Sequence, residues 1–87
     1  MPSSRDGDDG TAGAAHERLI EAHQHLVADV ARRYNGRGLD LPASIQAGHD
    51  GLRRAAERYD PARAYPFGVY ATWWMRQAIT RAIAVPR

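Results

Sequence analysis

The 87-residue chain has no cysteine, which excludes disulfide staples and thiolate metal sites. It has no lysine either: all 12 cationic side chains are arginine, the residue that pairs with phosphate bidentately and stacks on bases. A GC-rich coding bias explains the same usage, so the arginines count only as compatible with nucleic-acid binding. No uninterrupted apolar run approaches the roughly 20 residues that span a bilayer, and the chain does not open on a basic segment followed by an apolar one. Neither a membrane anchor nor a secretory leader is expected, and a cytoplasmic protein is the expectation.

Little in the first stretch favours folding. Met1 to Ala15 is dominated by Gly, Ser, Asp and Ala, the composition of a disordered tail, which leaves 16–85 as the folded domain. A domain of that size buries only about 60% of the surface its unfolded chain exposes, so a thin core is expected. The formal net charge is +2. The tail sets Arg5 against Asp6, Asp8 and Asp9, so the folded part carries about +4.

Helical spacing organises that part. Leu19, Ile20, Leu26, Val27, Val30, Ala31 and Tyr34 recur at three- and four-residue intervals, which predicts a first helix over 16–34. Asn35-Gly36 and Arg37-Gly38 close it. A second helix follows Asp40, a suitable N-cap with Pro42 in the first turn, and carries Ile45, Gly48, Leu52, Ala55, Ala56 and Tyr59. Asp60-Pro61 stops it. The third runs over 68–84, is closed by Val85-Pro86, and should turn Ala71, Trp74, Met75, Ala78 and Ala82 inward. Its neighbouring stripe, Tyr70, Trp73, Gln77 and Thr80, is neither aliphatic like a core nor charged like a solvated face. The fold class is all-α, a compact bundle of three main helices.

Tyr59, Tyr65, Phe67, Tyr70, Trp73 and Trp74 fall within one short span, interleaved with Arg54, Arg58, Arg63, Arg76 and Arg81. Rings stack on unpaired bases for roughly 1–3 kcal/mol each and arginines hold phosphates, so the mixture suits opened DNA. Core packing accounts for aromatic clusters as well. Neighbouring helical residues differ by about 100° in direction, however, so Trp73 and Trp74 are not both directed inward.

The run Tyr70-Ala-Thr-Trp-Trp-Met-Arg-Gln-Ala-Ile-Thr-Arg-Ala-Ile-Ala84 resembles region two of primary-type sigma factors of the sigma-70 family. Leu19-Ile-Glu-Ala and Ala31-Arg-Arg-Tyr-Asn-Gly-Arg-Gly38 look like its upstream helix. The resemblance covers 19–84 and implies a sigma factor-like protein that recognises the promoter minus-ten element and melts DNA together with core RNA polymerase. It implies that Gln77 and Thr80 read the duplex at the upstream edge of that element, and that Trp73 and Trp74 wedge where the duplex ends. By the same resemblance, Tyr59, Asp60, Arg63 and Tyr70 line a pocket for a flipped adenine of the non-template strand. Tyr65 and Phe67 would touch the opened strand, and Arg76 and Arg81 would hold phosphate or pair internally.

Where the family carries Asp-Leu-Ile-Gln-Glu-Gly-Asn to dock on a coiled coil of the polymerase beta-prime subunit, this chain reads Ala43-Ser-Ile-Gln-Ala-Gly-His49. Both carboxylates are alanine, leaving Ile45, Gln46, His49 and Leu52 as docking residues and predicting weakened polymerase binding. Gly68 and Val69 stand where the family has Ser-Thr, Ala64 where it has glycine, Pro66 where it has a basic residue, and His23 where it has an asparagine. The competing expectation is a degenerate sigma-like module or decoy that binds polymerase, an anti-sigma factor or single-stranded DNA without initiating transcription. His16-Glu17 begins like a zinc-protease motif, but Ile20 occupies the second ligand position and His23 and His25 point apart. No enzyme, metal or cofactor is expected.

Overall fold

Three helices make up the protein in a computed structural model that describes the backbone of residues 2–84 and the side chains of residues 13–84. Helix α1 spans Pro2–Arg32, α2 Leu41–Arg58 and α3 Phe67–Ala84. The architecture is all-α, as the spacing predicts. The stop at Val85-Pro86 lies outside the described residues.

Composition predicts no folding before His16, yet α1 begins at Pro2. The extension is physically cheap: once the packed half of a helix is nucleated, each further residue adds a hydrogen bond at little cost, and proline suits a helix's first turn. At its other end α1 stops at Arg32, short of the predicted Tyr34. Successive bonds from Arg33 N to Val30 O (3.1 Å), Tyr34 N to Ala31 O (3.0 Å) and Asn35 N to Arg32 O (3.2 Å) tighten its last turn. Gly36 and Gly38 then take φ of 79° and 113°, left-handed values that turn the chain toward α2.

Asp40 caps α2 as expected, its carboxylate accepting from Ala43 N at 2.9 Å, and Pro42 sits in the first turn. Tyr59 ends the helix in an extended conformation before Asp60-Pro61. Helix α3 starts at Phe67, one residue earlier than predicted, because Pro66 supplies a carbonyl that accepts from Tyr70 N at 3.3 Å.

The core is Val27, Val30 and Ala31 of α1, Leu52, Ala55 and Ala56 of α2, and Phe67, Ala71, Met75 and Ile79 of α3. On α3 the inward stripe is a strict four-residue repeat through Ile79, which the expected set omitted. Trp74, Ala78 and Ala82 lie half-buried beside it. Two residues expected in contacts belong to this core: Phe67 is 6% exposed, and Leu52, expected both on the apolar stripe of the second helix and in docking, is fully buried; a thin bundle uses its few large apolar groups to exclude water. Ser44, where the family has leucine, is buried with its hydroxyl unpartnered among the described residues.

Two glycines of α2 set the helix spacing. A Cβ at Gly48 would lie 3.0 Å from Val27 of α1, and one at Gly51 would lie 2.6 Å from the Trp74 carbonyl oxygen and 2.7 Å from Met75 Cα. At Gly51 the obstacle is backbone, which has no rotamer to yield. Gly51→Ala is therefore expected to lower the unfolding free energy by about 2–3 kcal/mol. Urea denaturation checks this, and a loss under half of that would show that the helices separate easily.

Candidate nucleic-acid interface

The close approach at Gly51 fixes which rings α3 exposes. With Met75 pressed into the core, Trp74 is half-buried and Trp73 stands 55% exposed. The two indoles meet edge to face at 5.5 Å between centroids and 86°. Arg58 of α2 lies over the Trp74 ring, 5.5 Å from its centroid, a cation–π contact that holds the inner tryptophan.

Trp73, Gln77 and Arg81 follow one another at four-residue spacing and face α2 across a groove of about 440 Å³, whose other wall carries Ala47, Asp50 and Arg54. The groove thus has an aromatic wall, an amide, two guanidinium groups and a single carboxylate. Arg54 was expected among the arginines beside the rings, without an assigned contact, and Asp50 was not expected. Their signal was their place on the face of α2 opposite the buried Leu52 and Ala56.

A string of rings continues from Trp74. Tyr70 meets it at 6.1 Å, Tyr65 stacks on Tyr70 at 5.0 Å and 29°, and Tyr59 contacts both tyrosines at 5.7 and 5.8 Å. Phe67 closes the inner end, 5.0 Å from Tyr59 and 4.8 Å from His23. The phenols are anchored: Tyr59 donates to the Tyr65 carbonyl at 3.0 Å and Tyr70 to the Arg58 carbonyl at 3.4 Å. Tyr65 therefore covers the face of Tyr70 expected to receive a flipped base. Asp60 and Arg63, expected in that pocket, form an exposed pair at 3.6 Å. Asp60 also accepts from Ala62 N at 3.0 Å, which makes it the residue that shapes the turn.

Arg76 and Thr80, one turn apart on α3, reach toward Tyr34 of α1. Arg76 Nε donates to the Tyr34 hydroxyl oxygen at 3.4 Å. That hydrogen bond is the main cause lowering the Tyr34 pKa from 10.0; burial opposes it, and the Thr80 hydroxyl and the charges of Arg76 and Arg37 add to it. Arg76 thus has an internal hydrogen-bond partner while its side chain remains exposed. Gln77 lines the α2 groove, and Thr80, its neighbour one turn along the exposed surface of α3, bonds toward Tyr34. Arg81 is exposed in the groove.

On α2, Gln46 is exposed and Ile45 and His49 are half-buried, so of the expected docking residues these three border the surface. Among the described residues no three His, Asp or Glu side chains converge as metal ligands, and no helix is long and apolar enough to cross a membrane.

A family model described as Sigma-70 region 2 matches residues 19–85. The chain belongs to this family. It is 50% identical over 70 residues to the RNA polymerase sigma factor SigA of Microcystis aeruginosa, covering 80% of this chain and 17% of that protein. It is 52% identical over 68 residues to the RNA polymerase sigma-C factor of Nostoc sp., covering 78% of this chain and 16% of that protein. The chain thus spans about one sixth of the length of the curated relatives it matches. In this sigma-70 region 2 domain the exposed tryptophan and the arginine-lined groove lie inside the matched residues.

The Tyr34 contact yields a test. In the folded domain Tyr34 should titrate below 10.0, and Arg76→Gln should move it upward because the donated hydrogen bond and the positive charge are both lost. NMR titration of the Tyr34 ring reads the shift. An unchanged midpoint would place Arg76 in solvent, free for phosphate.

Proposed function

We propose that this domain recognises the minus-ten element of a promoter and captures its non-template strand as the duplex opens, in transcription initiation with core RNA polymerase. The observation that carries the reading is Trp73: a large ring 55% exposed on a small domain, beside a groove holding Arg54 and Arg81. An exposed indole next to cations suits base stacking with phosphate neutralisation, and the protein does this without enzymatic chemistry or a cofactor. Gln77 offers an amide to a base edge in the same groove. At the other end of the ring string, a flipped base replaces Tyr65 on Tyr70, exchanging one stacking contact for another, so that capture costs less than exposing a bare ring.

Polymerase docking in this reading uses the outer face of α2 around Ile45, Gln46 and His49, against the beta-prime coiled coil, in the cytoplasm. Alanine at 43 and 47 leaves that face without the carboxylates that the family pattern supplies. This favours a second reading, in which the protein is a sigma-like module or decoy that engages DNA, polymerase or an anti-sigma factor without starting transcription. Binding measurements separate the two.

Trp73→Ala is expected to weaken binding of a minus-ten non-template oligonucleotide by about thirtyfold, the equivalent of about 2 kcal/mol of stacking. Fluorescence anisotropy measures it, with a scrambled oligonucleotide as control; equal affinities for both sequences would count against promoter recognition. The double variant Ala43→Asp/Ala47→Glu should bind core polymerase at least roughly tenfold more tightly than the parent. If a pull-down titration finds no gain, the alanines do not explain weak docking.

A further inference from the structure

The groove between α2 and α3 holds one group that base stacking and phosphate contact leave unused. Where the family pattern places a glutamate, Ala47 lines the α2 wall, which leaves about 440 Å³ free of a long side chain. That volume is within the roughly 300–1,000 Å³ of clefts that hold small organic ligands. One turn further on, Asp50 contributes the groove's single carboxylate. Residues three apart share a helix face, so the acidic group stands along the same wall instead of at 47.

Asp50 is exposed, and among the described residues it forms no ion pair and accepts no hydrogen bond. Arg54, one turn along α2, and Arg81 across the groove are equally without an ion pair there. A free carboxylate repels a phosphate backbone, so its place in this groove calls for hydrogen-bond donors. Its two oxygens accept side by side and donate nothing. Among the DNA bases only guanine sets two donors next to each other, N1–H and the 2-amino group. Adenine and cytosine place an acceptor beside the amino group, and thymine flanks its one N–H with carbonyls. In a duplex that edge of guanine faces its partner, so only an unpaired guanine presents it.

We propose that the α2–α3 groove is a guanine-selective nucleotide site. The base stacks on Trp73, its N1–H and 2-amino group donate to the two oxygens of Asp50, Gln77 offers its amide to O6, and Arg54 and Arg81 take the phosphate. The proposal rests on the base stacking inferred above and adds to it a base and the residue that selects it. The experiment uses the full 87-residue chain and two short thymidylate strands, one with a central guanine and one with hypoxanthine, which lacks only the 2-amino group. The parent should prefer the guanine strand by about tenfold, the lower range for a hydrogen bond to a charged group. Asp50→Asn, which puts an amide N–H where a second acceptor is needed, should abolish that preference. Calorimetry measures the affinities, and circular dichroism verifies that the variant is folded. A parallel titration with guanosine and inosine monophosphates, followed at the Trp73 indole by NMR, distinguishes the sources of the ligand. Discrimination there as well as in the strands means that the groove takes a free guanine nucleotide; discrimination in the strands alone assigns it to guanine in single-stranded DNA.

A guanine preference that survives in Asp50→Asn overturns the assignment, since the amino group is then read elsewhere. Equal binding of the guanine and hypoxanthine ligands by the parent also overturns it and leaves single-strand capture intact. Failure to bind any strand or nucleotide removes this proposal together with the reading on which it rests.

Discussion

At Gly51 the backbone of α2 lies against that of α3 with no room for a side chain, and the rest of the molecule follows from that contact. It presses Met75 into the core and sets the rotation of α3. That rotation turns Trp73 outward and leaves Trp74 half-buried under Arg58. Trp73, Gln77 and Arg81 then form one wall of a groove and Arg54 the other. A domain this small, with a core drawn from few large side chains, gains close packing by bringing helices together rather than by adding bulk.

The same economy explains what the sequence disclosed. Helix count, the Asp40 cap, the glycine turn after α1 and the outward Trp73 all rest on local rules of spacing and turn chemistry, and all were legible. Leu52 was read on the apolar stripe of α2, but the burial of Phe67 and Ile79 was not foreseen, because it depends on how three helices meet rather than on any one helix's pattern. Phe67 shares its neighbourhood with five other rings, and composition does not distinguish the ring that seals the core from those that line the surface. Arg76 shows the same limit: its hydrogen-bond partner, Tyr34, is distant in sequence, and only the tertiary arrangement brings the two together. Over 2–15 composition describes whether a segment folds alone, not whether it can extend a helix already formed, so helical backbone there lies beyond what composition reads.

Departures from the family pattern divide by surface. On α3 the ring string and the Trp73–Gln77–Arg81 wall are intact, whereas on α2 alanines stand at 43 and 47 where the family pattern has carboxylates, and Ser44 places a hydroxyl unpartnered among the described residues in the interior. The face expected to meet polymerase has thus changed more than the face expected to meet DNA. A third surface, between α1 and the first turn of α3, has become more apolar.

The central claim is that the outward ring of α3, held there by the packing at Gly51, captures unpaired bases. NMR titration with a single-stranded oligonucleotide tests it most directly. The account predicts that the Trp73 indole N–H shifts on binding, while the methyl groups of Leu52 and Met75 in the core stay in place. Binding that leaves the Trp73 signal unmoved, or that maps to the outer face of α2 instead, would contradict it.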